Sequence, residues 1–161
     1  FVQSYVAAGA QHPDLLDAVR AQNEKTAGFD AGTITELDLK WRAEIGQGDT
    51  PTITPVLDHP ASDVLRGLVA GSNGMVTEIF VMDAQGLNVA SSAVTSDYWQ
   101  GDEAKFQETY GKGPDSVHFS DVEFDESTQT YQAQISLPVV DPASGSMLGA
   151  ITVGVNAEAL M

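Results

Sequence analysis

The feature that most constrains this chain is a change of period at Met75. Before it, apolar residues recur at helical spacing; after it, they alternate as they do on a pleated sheet with one buried face. Helices followed by a run of strands do not make a regular βαβ sheet. The order predicts an α+β fold with long N-terminal helices packed on a five-stranded antiparallel sheet.

Within the helical part, Pro13 suits a first helical position and Asp14 the positive end of the helix dipole. Leu15, Leu16 and Val19 form an apolar face. This helix runs through Asn23 and stops near Gly28. The capping box Thr33-Ile34-Thr35-Glu36 opens a second helix, with Ile34, Leu37, Trp41 and Ile45 inward and Gly46 as its stop. Residues 46–56 read as a loop. Pro60 begins a third helix, with Val64, Leu65, Leu68 and Val69 inward, ended by Gly71-Ser72-Asn73-Gly74.

Thr77 to Met82 and Leu87 to Ser92 form a hairpin about Asp83-Ala84-Gln85-Gly86. A short helix from Asp102 to Tyr110 follows, closed by Gly111. Further strands are predicted over 117–124, 130–139 and 147–155. Their turns are Asp125-Glu126-Ser127-Thr128-Gln129 and Asp141-Pro142-Ala143-Ser144-Gly145. The 161 residues suit a single domain with its own core, helical over about 1–74 and sheet over about 75–161. The first residues, Phe1-Val2-Gln3-Ser4-Tyr5, carry neither a basic stretch nor an initiating Met and read as a mature or trimmed start.

Composition removes several function classes. Without cysteine there is no disulfide, thiolate metal site or cysteine nucleophile. A net charge of −16 repels nucleic acid and anionic lipid, and favours cationic or zwitterionic partners if it has a functional meaning; a solvated surface adapted to a salty or exported environment is the plainer explanation. His12, His59 and His118 lack zinc-ligand spacing. Asp121, Glu123 and Asp125 share a strand face, as a charged edge or a hard-cation site. No Gly-x-Ser-x-Gly elbow, phosphate loop or dinucleotide fingerprint is present, and no cofactor is implied.

A binding site has a better basis. In the strand over 130–139, Tyr131, Ala133, Ile135 and Leu137 share one face and Gln132, Gln134 and Ser136 the other. The last strand sets Ile151, Val153 and Val155 against Thr152, Gly154 and Asn156. The polar face either meets solvent or lines a pocket roofed by the loop 93–101. That loop places Asp97, Tyr98 and Trp99 together, just ahead of Asp102 and Glu103. Tyr98 and Trp99 enclose a small molecule or plug the edge of the core. Asp97 or Asp102 bonds an amine, or Asp102 and Glu103 serve only a helix start. Ser91, Gln134 and Ser136 complete the candidate set, and Trp41 reads as packing.

These residues resemble a known family. The hairpin Glu78-Ile79-Phe80-Val81-Met82-Asp83-Ala84-Gln85-Gly86-Leu87-Asn88-Val89-Ala90-Ser91-Ser92 is similar to the central hairpin of single-Cache sensors, also called PDC or extracytoplasmic PAS-like domains. The loop Thr95-Ser96-Asp97-Tyr98-Trp99-Gln100-Gly101-Asp102-Glu103 resembles a bacterial periplasmic subgroup. The stretches Leu137-Pro138-Val139-Val140-Asp141 and Leu148-Gly149-Ala150-Ile151-Thr152-Val153-Gly154-Val155 match later elements. Gln22-Asn23, ahead of a helix bearing Trp41-Arg42, also fits. The resemblance implies a ligand between the sheet and the loops after the second strand. Amino-acid-binding members use a Tyr, an Arg and further aromatics in this loop, with a later Asp. Here Tyr98 and Trp99 stand in comparable places, the loop holds no Arg, Lys105 is the nearest cation, and Asp141 lies in a turn. Amino-acid binding is therefore not carried over.

Three readings follow. The first is a periplasmic sensor domain that binds a small polar molecule and signals to a membrane-anchored partner or output domain. The second is a ligand-free interaction module that forms a homodimer through the N-terminal helix. The third, a hydrolase using acidic residues, has the least in its favour. A non-enzymatic role is the expectation.

Overall fold

A computed structural model describes residues 2–126 and 129–160. Phe1, Met161, and Ser127 and Thr128 of the expected turn lie outside the described residues. Five helices come first: α1 (Val2–Ala10), α2 (Pro13–Thr26), α3 (Ala31–Glu44), α4 (Thr54–Leu57) and α5 (Pro60–Gly71). Strands β1 (Val76–Met82) and β2 (Asn88–Ser91) precede α6 (Ala104–Gln107). Strands β3 (His118–Phe119), β4 (Glu123–Asp125), β5 (Thr130–Val140) and β6 (Met147–Asn156) then lead to a 3-10 turn, Ala157–Leu160.

Local chemistry sets the helix starts. His12 and His59 each precede a proline, and each lends Nδ1 as acceptor to a free N–H of the first turn. His12 takes the Asp14 N–H at 3.2 Å and His59 the Ala61 N–H at 3.0 Å. Two of the three histidines are thus helix caps. The box at Thr33 is not the start of α3. Asp30 Oδ1 accepts the Thr33 N–H at 2.8 Å, and an aspartate makes the better cap. This bond from the Thr33 backbone also holds the Asp30 carboxyl below its ordinary pKa.

The strands join as β2-β1-β6-β5-β3, all antiparallel, with β4 also on β5. The sheet has six strands instead of the expected five, because the segment 117–124 is interrupted. Ser120 Oγ accepts the Gln134 N–H at 2.7 Å, so a hydroxyl replaces a ladder carbonyl and the chain kinks between β3 and β4. Other expectations are corrected similarly. An extra helix, α1, buries Val6 and Ala10; α4 interrupts the loop at 46–56; α6 is shorter than 102–110; and Ile45, just past the end of α3, is exposed.

One face of the sheet is the core. Val76, Ile79 and Val81 of β1 and Ile151, Val153 and Val155 of β6 pack with Leu15, Leu16 and Val19 of α2 and Leu65 of α5. The α2 helix is locked to the β1–β2 turn by polar bonds. Asp83 Oδ2 accepts from Gln22 Nε2 at 3.0 Å and Thr26 Oγ1 at 2.9 Å. Asn23 donates to the Leu148 carbonyl at 2.8 Å and accepts from the Ala84 N–H. The turn itself needs Gly86, whose φ is +85°. The free edge of β2 is closed by the loop that follows: Asn88 N–H donates to the Tyr98 carbonyl and Gln100 N–H to that of Gly86.

Candidate functional site

The other face of the sheet is apolar at one end, where Phe80, Met82 and Ala150 pack with Phe106, and polar at the other, where a cavity of about 460 Å³ lies against it. Its floor comes from alternate positions of neighbouring strands: Glu78 and Phe80 of β1, Gln132 and Gln134 of β5, and Asp125 of β4. Thr95, Ser96 and Gln100 form the roof, and Lys105 of α6 closes one side. Glu78 Oε1 accepts from Gln132 Nε2 at 3.2 Å and Gln134 Nε2 at 3.4 Å. Thr77 Oγ1 donates to Gln132 Oε1 at 2.7 Å. Lys105 Nζ sits 2.9 Å from Glu103 and 5.3 Å from the centre of the Phe80 ring. Gly154 lies beneath. A Cβ there would stand 2.6 Å from Thr77 Oγ1 and 2.9 Å from Gln132 Oε1, so these side chains occupy the space a larger residue would take.

The roof is a loop held by hydrogen bonds with α3 and β2. Asp38 of α3 is buried and accepts the Tyr98 and Trp99 N–H groups at 3.0 and 2.9 Å. Trp41, fully buried as its spacing predicts, donates Nε1–H to the Thr95 carbonyl at 2.8 Å. Asn88 binds Thr95 Oγ1 and the Asp97 carbonyl. The arginine that the loop lacks in sequence reaches it in space. Arg42 pairs with Asp38 at 2.9 Å and with Asp97 at 3.4 Å. Burial raises the Asp97 pKa despite that partner, helped by the nearby charges of Glu103 and Asp38.

Of the six candidate residues, Gln134 lines this cavity. Tyr98 turns to the helical side, its ring 5.0 Å from Trp41, and lines a different cavity beside α2. Burial, then the charge of Asp83, pushes its phenol pKa up to about 12. Trp99 is half-buried and donates Nε1–H to the Gln85 carbonyl at 2.8 Å. Asp97 faces Arg42. Ser91 is buried and donates to the Ala93 carbonyl, while Ser136, also buried, shares a 2.8 Å bond with Thr152 Oγ1. The structure thus separates Tyr98 from Gln134 and gives Trp99, Ser91 and Ser136 partners inside the protein.

Sequence reasoning missed Glu78, Phe80, Thr95, Gln100 and Asp38. Glu78 had a signal, as a carboxylate alternating with Phe80 in an apolar strand. So did Asp38, which falls between Ile34 and Trp41 on the buried stripe of α3. Among the described residues, no group of three or more His, Asp or Glu is placed to hold a metal ion. Nor is any helix long and apolar enough to cross a membrane.

No family model and no curated protein matches the sequence. Solved structures do match in fold. The extracellular domain of the putative histidine kinase rpHK1S-Z16 is similar at 13% identity and a TM-score of 0.51, over 96% of this chain and 55% of that one. The ligand-binding domain of the Campylobacter jejuni chemoreceptor Tlp3, in complex with L-valine, aligns at 12% identity and 0.49, over 98% and 64%. The Pseudomonas aeruginosa amino-acid chemoreceptor PctC ligand-binding domain, in complex with GABA, aligns at 17% and 0.49, over 78% and 53%. This chain therefore spans less than two thirds of each of those chains. In fold the chain is similar to the extracellular domain of the histidine kinase: helices packed on an antiparallel sheet, the PAS-like α+β layout that the resemblance implied.

Proposed function

We propose that the chain is an extracytoplasmic sensor domain, one unit over residues 1–161, that binds a small polar ligand between the polar sheet face and the loop 93–101. The observation that carries this reading is the cavity itself: of ligand size, roofed by a pinned loop, and lined by Glu78, Asp125 and three glutamine amides with Lys105 at the side. Two carboxylates and amide oxygens suit a ligand with a cationic group, and Lys105 suits a zwitterion's anionic end. Gln134 contacts the ligand, while Asp97, Tyr98 and Trp99 hold the roof at its height. The domain of similar fold is the extracellular part of a putative histidine kinase, which supports a membrane-anchored signalling partner and a sensing role for this chain.

The test is a thermal-stability screen with amines, zwitterions, carboxylates, nucleobases and divalent cations. A ligand at about a hundred times its Kd adds roughly 2.7 kcal/mol to stability. Amines or zwitterions are expected to raise Tm, and Gln134→Leu with Glu78→Gln to abolish the rise. A rise that survives both substitutions rules this cavity out.

One observation favours an interaction module, at the β3–β4 edge instead of the expected N-terminal helix. Phe119, Val122, Phe124 and Tyr131 are exposed together along the β3–β4 edge, with the Phe124 and Tyr131 rings edge to face at 5.3 Å. Concentration-dependent dimerisation without any ligand response selects that reading.

A further inference from the structure

We propose that the helical side of the molecule holds a second ligand site, for a small monocarboxylate with an apolar body, anchored by Lys25. A cavity of about 380 Å³ opens there between α2, the segment 51–56 and Tyr98, and it shares no lining residue with the polar cavity. Its walls are mostly apolar, including Ala18, Ala21, Phe29, Leu37 and Val56. The site therefore does not rest on the reading given above.

Lys25 and the Tyr98 hydroxyl, both on its lining, are left over by the fold. The chain has seven basic residues against 23 acidic ones, and six of the seven hold a carboxylate within ion-pair distance. Among the described residues Lys25 alone has none, in a protein where acidic partners are in large excess. The Tyr98 hydroxyl likewise has no hydrogen-bond partner among the described residues, although its ring is packed against Trp41. At a pKa of about 12 it stays protonated and so remains a donor. An ammonium and a neutral O–H above apolar walls match one carboxylate on an apolar body. A dianion would bring a charge that nothing on the lining neutralises, in a field already strongly negative.

The experiment titrates the protein with phenylacetate and, separately, phenylacetamide. It follows the fluorescence of Trp41 and Trp99, calorimetric heat and backbone amide shifts. Lys25 is exposed, and glutamine is as good a helix former, so Lys25→Gln keeps the fold. Phenylacetate is expected to bind saturably and to move the amides of Ala21, Lys25 and Val56. Lys25→Gln, or replacement of the carboxylate by the amide, is expected to weaken binding by about tenfold or more. Tyr98→Phe is expected to weaken it less. Equal binding of acid and amide, an unchanged affinity in Lys25→Gln, shifts confined to Gln132 and Gln134, or no binding at millimolar phenylacetate would each overturn the proposal.

Discussion

Strand β6 turns Ile151, Val153 and Val155 toward the helices and Thr152 and Gly154 away from them, and the two sides of the sheet differ accordingly. On the helical side, aliphatic side chains are fully buried against α2 and α5. On the other side, Glu78, Gln132 and Gln134 bond to one another and still border a cavity. The period of two that builds the sheet thus separates a face packed on helices from a face whose polar end borders the cavity. Close packing leaves the first no freedom to change, while hydrogen-bonded amides can exchange a neighbour for a ligand.

The sharpest way to break this contrast is a matched pair of truncations. Ile151→Ala is expected to cost about 2–5 kcal/mol in urea unfolding, through lost transfer energy and the cavity left behind. Gln134→Ala is expected to cost no more than about 1 kcal/mol while removing the ligand response. Equal losses would mean that the polar face is core after all.

A smaller effect is expected at the junction of the two sides. Asp38→Ala leaves the Tyr98 and Trp99 N–H groups without their acceptor and Arg42 without one of its partners. A cost of about 1–3 kcal/mol should appear, with faster hydrogen exchange at both amides. Protection unchanged at Tyr98 and Trp99 would show that the roof is held by Trp41 and Asn88 alone.

The smallest effects are in pH dependence, where two carboxylates carry opposite signs. Burial works against the Glu44 carboxylate, but the hydrogen bonds from Thr52 and Ile53 outweigh it and lower its pKa. Its contribution is present above the unfolded pKa and lost as pH falls through the folded one. Asp97, raised chiefly by burial, behaves conversely: its contribution is present below the unfolded pKa and lost as pH rises through the folded one. Glu44→Gln should therefore lower Tm near neutral pH and converge with the parent protein in acid. Asp97→Asn should raise Tm slightly near neutral pH. The reverse pattern in Tm profiles would contradict this account of the loop's electrostatics.

Much of the fold was legible because it rests on short-range rules. The alternation in β5 and β6, the hairpin turn at Asp83 and the proline starts of α2 and α5 each follow from neighbours a few residues apart. The break between β3 and β4 was not legible, since it depends on Ser120 meeting Gln134 across the sheet. A polar face under the loop 93–101 was one of two readings the sequence left open, and Gln134 lines the cavity found there. Tyr98 and Trp99 illustrate the limit. Their bulk in a polar loop marked them as placed over something, and both are packed against the fold, yet which side each faces follows from contacts with Trp41 and Gln85.

By itself the sequence determined the order of helices and strands, the polar and apolar faces of β5 and β6, and a surface hostile to anions. Period and charge are properties that each residue carries into any fold. Only the tertiary structure decided where the loop's aromatics turn, that Arg42 supplies the missing cation, and that Lys25 stands apart from every carboxylate described. Those outcomes depend on groups far apart in the chain, such as Asp38 and the Tyr98 amide 60 residues later. Local preference does not bring such pairs together; packing of the whole chain does.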